Sequence, residues 1–355
     1  MTTHFWSDPH LGLNRTSHTT PVSRKALRDA LYHQAKDIVA GDRDSTASIC
    51  LGDLFDTTEN DESVIAQGAE IASKCALVLS GNHDLANRDG RMSSLALIGT
   101  LCDDSAIAID DDSVNHFRLS FPDCYIVTVP HKRTQGLFDE ALAGLENNCS
   151  KDRPCVLLLH CNYASGFATA ESSLNLTREQ AAILVEKFDY VLLGHEHIPR
   201  SDFDGRLQIL GNIHPTSFAD ISDKFIWRLE EGVLVSEQVW STNRLAVKDW
   251  EWLLNPSVSY GPVDYAVTKV NWEGIQFIDI TGTAPAARLP EIAKAIQKLW
   301  SEAPDALMIR NSVKAESVVV EAQEVRRALD IPSRITEELQ GSKLLPLWTH
   351  YLGRV

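Results

Sequence analysis

Residues 188–200 read FDYVLLGHEHIPR: an apolar run, Tyr190 to Leu193, that stops at a glycine and delivers His195, Glu196 and His197. A near-continuous apolar run suits a strand covered on both faces. Polar side chains bunched at its carboxyl end lie where open α/β sheets place their ligand sites. Other stretches end in the same way. The strand HFW near the start ends in Ser7-Asp8-Pro9-His10, and Ile49 to Leu51 ends in Gly52-Asp53-Leu54-Phe55-Asp56. Ala76 to Leu79 runs into Gly81-Asn82-His83-Asp84, and Val156 to Leu159 into His160.

Helical patterns lie between these runs and the further strand candidate Tyr125 to Val129. Ala26, Leu27, Ala30, Leu31, Ile38 and Val39 follow a 3.6-residue period behind Ser23 as a cap, and Thr177 with Gln180 forms a capping box that opens a helix over Glu179 to Lys187. Strands alternating with helices predict an α/β sandwich. After Arg206 the texture shifts to RLQILG, KFIWRLE and GVLVSEQVW, which read as hairpins completing a second sheet. The Pro-, Gly- and Ser-rich stretch around 253–264 is the best linker. The expected division is therefore a large domain over 1–250, a linker over 251–263 and a smaller α+β domain over 264–355. The smaller domain contains strands at Ile275 to Ile280 and Val318 to Val320 and a helix at Leu289 to Trp300.

With 355 residues and 44 % hydrophobic side chains, the chain has the composition of a globular protein. It shows no signal peptide and no apolar run long enough to span a bilayer, which predicts a cytoplasmic protein with no membrane partner. Seven cysteines, spread singly, predict reduced thiols. The 49 acidic against 33 basic residues give a net charge of -16, which by itself repels a polyanion. Bound divalent cations or a basic partner would reverse that locally.

The residue types at the strand ends specify a chemistry. Carboxylate, carbonyl and imidazole donors suit hard or borderline divalent ions such as Mn²⁺. Holding two ions about 3.5 to 4 Å apart requires a bridging ligand, and Asp53, short and fixed after a glycine, is the natural bridge. Asp8 and His10, two positions apart, share one face if the backbone is extended, and His195 and His197 repeat the spacing. Each fragment alone is an ordinary turn or cap; their joint occurrence in this order is what points to a metal site.

The set DPH, GDLFD, GNHD, LLLHC and GHEH resembles the motifs of the calcineurin-like metallophosphoesterase superfamily, from Asp8 to His197. SDPHLG, SGNHD and FDYVLLGHEHIPR, followed by LGNIHPTSFADISDKFIW, are similar to the nuclease subunit of SbcCD-type complexes, the SbcD or Mre-eleven-like branch. The resemblance implies a two-sheet α/β/β/α sandwich with a C-terminal capping domain. It implies a Mn²⁺-dependent nuclease, exonuclease on double-strand ends and endonuclease on single strands, acting by a two-metal mechanism in DNA repair, recombination or replication. It further implies DNA as substrate, an SMC-like coiled-coil ATPase as partner and a homodimer, for which the apolar stretch 91–101 is a candidate face. One metal would be held by Asp8, His10, Asp53 and His197, the second by Asp53, Asn82, His160 and His195. His83 would act as acid or transition-state stabiliser with Asp84 orienting its ring. Asp56 reads as a supporting residue or helix start. Arg15, Arg88, Arg91, His131 and Lys132 are the basic side chains available to touch substrate. The alternatives are a phosphoesterase acting on a cyclic nucleotide or dinucleotide, and an inactive partner-binding scaffold. The compact chain also suits a phage-encoded version.

Overall fold

Apolar runs that alternate with capped amphipathic helices bury both faces of their strands, and this places two sheets between helical layers. The structure is a computed structural model that describes residues 2–40, 46–85, 92–101, 107–108, 116–147, 149–165, 174–254, 271–316, 335–336 and 338–352. The chain runs β1 (Thr2–Trp6), α1 (Pro21–Ile38), β2 (Thr46–Cys50), α2 (Glu62–Ala72), β3 (Leu77–Leu79), α3 (Ser94–Leu101), β4 (Ile107–Ala108), β5 (Phe117–Ser120), β6 (Tyr125–Val129), α4 (Gln135–Ala143) and β7 (Cys155–His160). It continues through β8 (Asn162–Tyr163), β9 (Asn175–Leu176), α5 (Arg178–Lys187), β10 (Tyr190–Gly194), β11 (Arg200–Asp202), β12 (Leu207–Ile209), β13 (Lys224–Glu230) and β14 (Val233–Trp240). The last part contains β15 (Leu245–Asp249), α6 (Trp250–Leu254), β16 (Phe277–Thr281), β17 (Thr283–Ala284), α7 (Leu289–Glu302), β18 (Met308–Asn311), β19 (Lys314–Ala315) and α8 (Leu345–Leu352). The expected strand Val318 to Val320 lies outside the described residues.

One six-stranded sheet has the order β14-β13-β1-β2-β3-β4 and the other β11-β12-β10-β7-β6-β5. Strands β1 to β4 are parallel, as are β6, β7, β10 and β12. Successive residues of a strand face opposite ways, so Phe5 enters the layer between the sheets with Ile49, Leu79, Val156, Leu158 and Leu192. Trp6 turns outward to Ala35 of α1 and Ile71 of α2. On the far side Leu157, Leu159 and Val191 pack under Phe138 of α4 and Leu184 of α5. Each such Leu, Ile or Phe contributes roughly 1.5–3 kcal/mol of burial, and the α/β/β/α sandwich follows from this alternation.

The expected grouping of the late strands is corrected. Only β12 completes the second sheet, beside β10. The β13–β14 hairpin extends the first sheet instead, with Trp227 opposite Phe5 of β1. The cap of α1 is Thr20, with Ser23 as the reciprocal member of its capping box, because Pro21 occupies the first helical position. Cys149 and Cys155 form a disulfide, where reduced thiols were expected: the turn into β7 brings their Cα atoms to 6.4 Å, within bonding range. Among the described residues, Cys50, Cys75, Cys124 and Cys161 are buried and lie outside any disulfide.

Strands β15, β16 and β18 form a separate parallel sheet. Ile278, Ile280 and Ile309 pack on one side with Leu299 of α7. Phe277 and Met308 pack on the other with Leu27, Leu31 and Trp240, which seats this sheet on the sandwich. Among the described residues no helix is long and apolar enough to cross a membrane.

Candidate metal centre

The carboxyl ends of β1, β2, β3, β7 and β10 converge, and backbone contacts lock them in place. Asp8 N donates to Gly52 O at 3.1 Å, His10 N to Asp53 O at 3.2 Å and Leu11 N to Leu54 O at 2.9 Å, so the first two loops zip together. Asp8 (φ 55°), His10 (φ 46°), Asp53 (φ 48°) and His195 (φ 89°) all have positive φ. The extended, shared-face geometry expected for Asp8 and His10, and for His195 and His197, is therefore corrected: the side chains converge through tight left-handed turns beyond the strands. A non-glycine residue in that region costs about 1–2 kcal/mol, a strain that clusters at functional sites. Glycine is required beside these turns. A Cβ on Gly81 would lie 2.1 Å from Asp53 Oδ1, and one on Gly194 would lie 2.4 Å from Ser7 Oγ.

Asp8, His10, Asp53, Asn82, His160, His195 and His197 are brought together. Donor atoms of Asp8, His10 and His197 lie within 4.8 Å of one another, as do those of Asp53, His160 and His195. His10 Nε2 faces His197 Nε2 at 2.9 Å. Asn82 Oδ1 lies 3.2 Å from His160 Nε2 and 2.8 Å from His195 Nδ1. Asp53 Oδ2 stands between the groups, 3.4 Å from His160 Nε2 and 4.0 Å from His10 Nε2. The opposite ring nitrogens of two of them are anchored: His160 Nδ1 donates to Leu51 O at 2.8 Å and His197 Nδ1 lies 3.2 Å from Asp220 Oδ2, while His10 Nδ1 lies at ion-pair distance, 3.3 Å, from Asp56 Oδ1. Anchoring one nitrogen and aiming the other inward is the usual preparation of an imidazole for a metal.

The electrostatics favour positive charge at the centre. Burial opposes a charged His10, yet Asp56, Asp53 and Asp8 outweigh it and raise its pKa to about 9. His160 is raised to about 9 in the same way, chiefly by Asp53 acting against burial. Despite its burial, Asp53 is held well below the usual carboxylate range by His160, His10 and His83. Burial, with His160 beside it, pushes His195 down to about 4, leaving a neutral donor. Asp8 is fully buried; its Oδ2 accepts from His195 N at 3.0 Å, while its Oδ1 has no hydrogen-bond partner. An unsatisfied buried carboxylate oxygen among inward-facing imidazoles fits a divalent cation.

His83 adjoins this set, with a donor atom within 4.8 Å of those of His10 and Asp53, its ring 5.2 Å from that of His10 and its Nδ1 donating to Asp56 O at 2.6 Å. The expectation that Asp84 orients that ring is corrected. Its carboxylate accepts from Gly81 N at 2.9 Å, Phe55 N at 3.1 Å and Leu54 N at 3.3 Å, which braces the Asp53 loop against the Asn82 loop. Asp56 supports both His10, through its side chain, and His83, through its carbonyl. His131 and Lys132, expected as substrate contacts, are 3 % and 1 % exposed. His131 Nδ1 donates to His160 O at 3.1 Å, because the chain leaving β6 turns into the interior, so neither side chain is offered to a ligand from the surface. Arg15 is half-buried in the loop after β1, and Arg88 and Arg91 lie outside the described residues. Two supporting residues are not apparent as such in the sequence. Glu196 accepts from Tyr163 N at 2.6 Å and pairs with Arg200, tying the His195–His197 loop to β8. Asp220, anchor of His197, announces itself only as part of a Thr- and Ser-rich turn.

The calcineurin-like phosphoesterase family profile matches residues 1–199. No curated protein matches. Among solved structures, a single mutant of Vps29 from Entamoeba histolytica is 11 % identical, with 67 % of this chain and 98 % of that chain covered and a TM-score of 0.28. Another crystal structure is 10 % identical, with coverages of 67 % and 99 % and a TM-score of 0.38.

Proposed function

From the premise that the chain belongs to the calcineurin-like phosphoesterase family, we propose that it is a Mn²⁺-dependent DNA nuclease of the SbcD-like branch. In this reading two cations occupy the centre, one with Asp8, His10, Asp53 and His197, the other with Asp53, Asn82, His160 and His195. The observation that carries the reading is the place of Asp53 Oδ2 between two groups of inward-aimed nitrogens. A bound cation pair supplies Lewis acidity and an activated water for in-line displacement at phosphorus. His83, with Nδ1 committed to Asp56 O, presents Nε2 to protonate or steady the leaving oxygen. Asp84 and Asp56 hold the geometry without touching substrate.

The DNA assignment is supported by the wording of the motifs and by the LGNIHPTSFADISDKFIW segment that follows them. Residues 264–355 are proposed as the capping unit, whose sheet takes its edge strand β15 from residues ahead of the linker. The last helix, α8, follows Leu344 and contains Leu347, both exposed apolar side chains, and is the segment proposed to dock an SMC-like ATPase. Met92, exposed just ahead of α3, and Leu101, exposed at its last position, form the proposed homodimer face. The net charge of -16 favours a second reading, hydrolysis of a small cyclic nucleotide or dinucleotide.

Linear duplex DNA, bis-p-nitrophenyl phosphate and cyclic nucleotides, each offered with Mn²⁺, separate the two. Degradation of the duplex supports the nuclease; turnover of the small esters alone overturns it.

A further inference from the structure

Beyond the cation-ligand residues, the turn between β12 and β13 is built around one carboxylate. Asp220 is 4 % exposed. Its Oδ2 accepts from Asn212 Nδ2 at 2.8 Å and from Thr216 N and Oγ1 at 2.9 Å each, and its Oδ1 accepts from Ser217 N at 2.7 Å and Oγ at 2.8 Å. With these donors in place, Oδ2 faces His197 Nδ1 at 3.2 Å. The backbone of the same histidine is also held: Lys224 Nζ, fully buried, donates to His197 O at 2.9 Å and to Asp220 O at 2.6 Å. Two residues before Asp220, the Phe218 ring is clasped by the C-terminal sheet. It lies edge-on to Phe277 of β16 at 5.7 Å and under the Arg310 guanidinium of β18 at 4.4 Å, with Arg310 fixed by Asp279.

We propose that Asp220 is the positioning residue of His197, and that the turn carrying it is seated on the C-terminal sheet through Phe218. A carboxylate bonded to the outer nitrogen of a metal-binding histidine fixes its tautomer and raises its basicity. One of the two cation sites is thereby coupled to the C-terminal sheet, while the site of Asn82, His160 and His195 is not. This rests on His197 being a cation ligand, as in the nuclease reading.

Mn²⁺ titration of the full chain by calorimetry tests it. Wild-type protein shows two binding events; if it shows none, the metal-centre reading fails before any variant is made. Asp220→Asn weakens one event by roughly 10- to 100-fold and leaves the other within a few-fold, and Phe218→Ala weakens the same event by less. Equal weakening of both events, or none, in Asp220→Asn overturns the positioning role, and unchanged affinity in Phe218→Ala overturns the seat. A long-range ¹H–¹⁵N spectrum of the wild-type protein loaded with Zn²⁺ gives a readout that does not depend on a variant folding. His197 carries its proton on Nδ1 if Asp220 orients it, and a proton on Nε2 contradicts the proposal.

Discussion

The strand-end loops and the C-terminal sheet obey opposite rules. In β15, β16, β18 and α7 every described residue outside glycine has ordinary backbone. The one buried carboxylate there, Asp279, is satisfied by Arg310 and Ser312. In the loops after β1, β2 and β10, Asp8, His10, Asp53 and His195 hold left-handed turns, and the buried Asp8 and Asp53 crowd the buried His10 and His160. Local preference is broken where chemistry is concentrated and kept where only stability is at stake.

Removing the carboxylate proposed to be shared separates the two regions most strongly. Asp53→Asn is expected to weaken both Mn²⁺ binding events by more than about 100-fold, beyond the loss usual for an outer partner, and to abolish phosphodiester hydrolysis; calorimetry and turnover on bis-p-nitrophenyl phosphate measure it. His83→Ala is expected to lower kcat by about 10²- to 10⁴-fold with Mn²⁺ stoichiometry unchanged, so loss of metal in that variant would show His83 to be a ligand. On the other side of the comparison, Ile280→Ala removes a fully buried side chain from the C-terminal sheet. It should cost about 2–5 kcal/mol of stability in denaturant unfolding while leaving turnover per folded molecule intact.

The joint between the two regions gives the smallest effect and a pH signature. His214 is buried against Trp240 and Phe277, and burial lowers its pKa to about 4. The unfolded chain, with an ordinary pKa near about 6.5, binds the proton more readily. The contribution is thus complete above pH 6.5 and is lost as pH falls from there towards 4, up to on the order of 3 kcal/mol. In His214→Phe the fall in unfolding free energy between neutral pH and pH 5 should shrink; an unchanged fall would assign the acid sensitivity elsewhere.

The sandwich was legible because burial on both faces leaves an apolar run, and the candidate ligand types were legible because they follow such runs, at three of the five strand ends after a glycine. What the sequence hid is backbone conformation and side-chain aim. Asp8-Pro9-His10 looks extended by its spacing, and only the hydrogen bonds from its loop to Gly52 and Asp53 hold it left-handed. Asp84 looks like the partner of the histidine beside it, yet three backbone N–H groups, two from the Asp53 loop and one from its own, claim its carboxylate. Asp220 lies 23 residues from His197, a distance at which no local pattern links them. Asp56 was readable as a support but not as one serving two histidines.

In the proposed centre one carboxylate, Asp53, joins two cation sites. Anomalous diffraction from crystals soaked in Mn²⁺ tests it directly. Two peaks per chain are expected, about 3.5–4 Å apart, on either side of Asp53 Oδ2, one towards His10 and His197 and the other towards His160 and His195. A single peak, or peaks that do not touch Asp53, would contradict it.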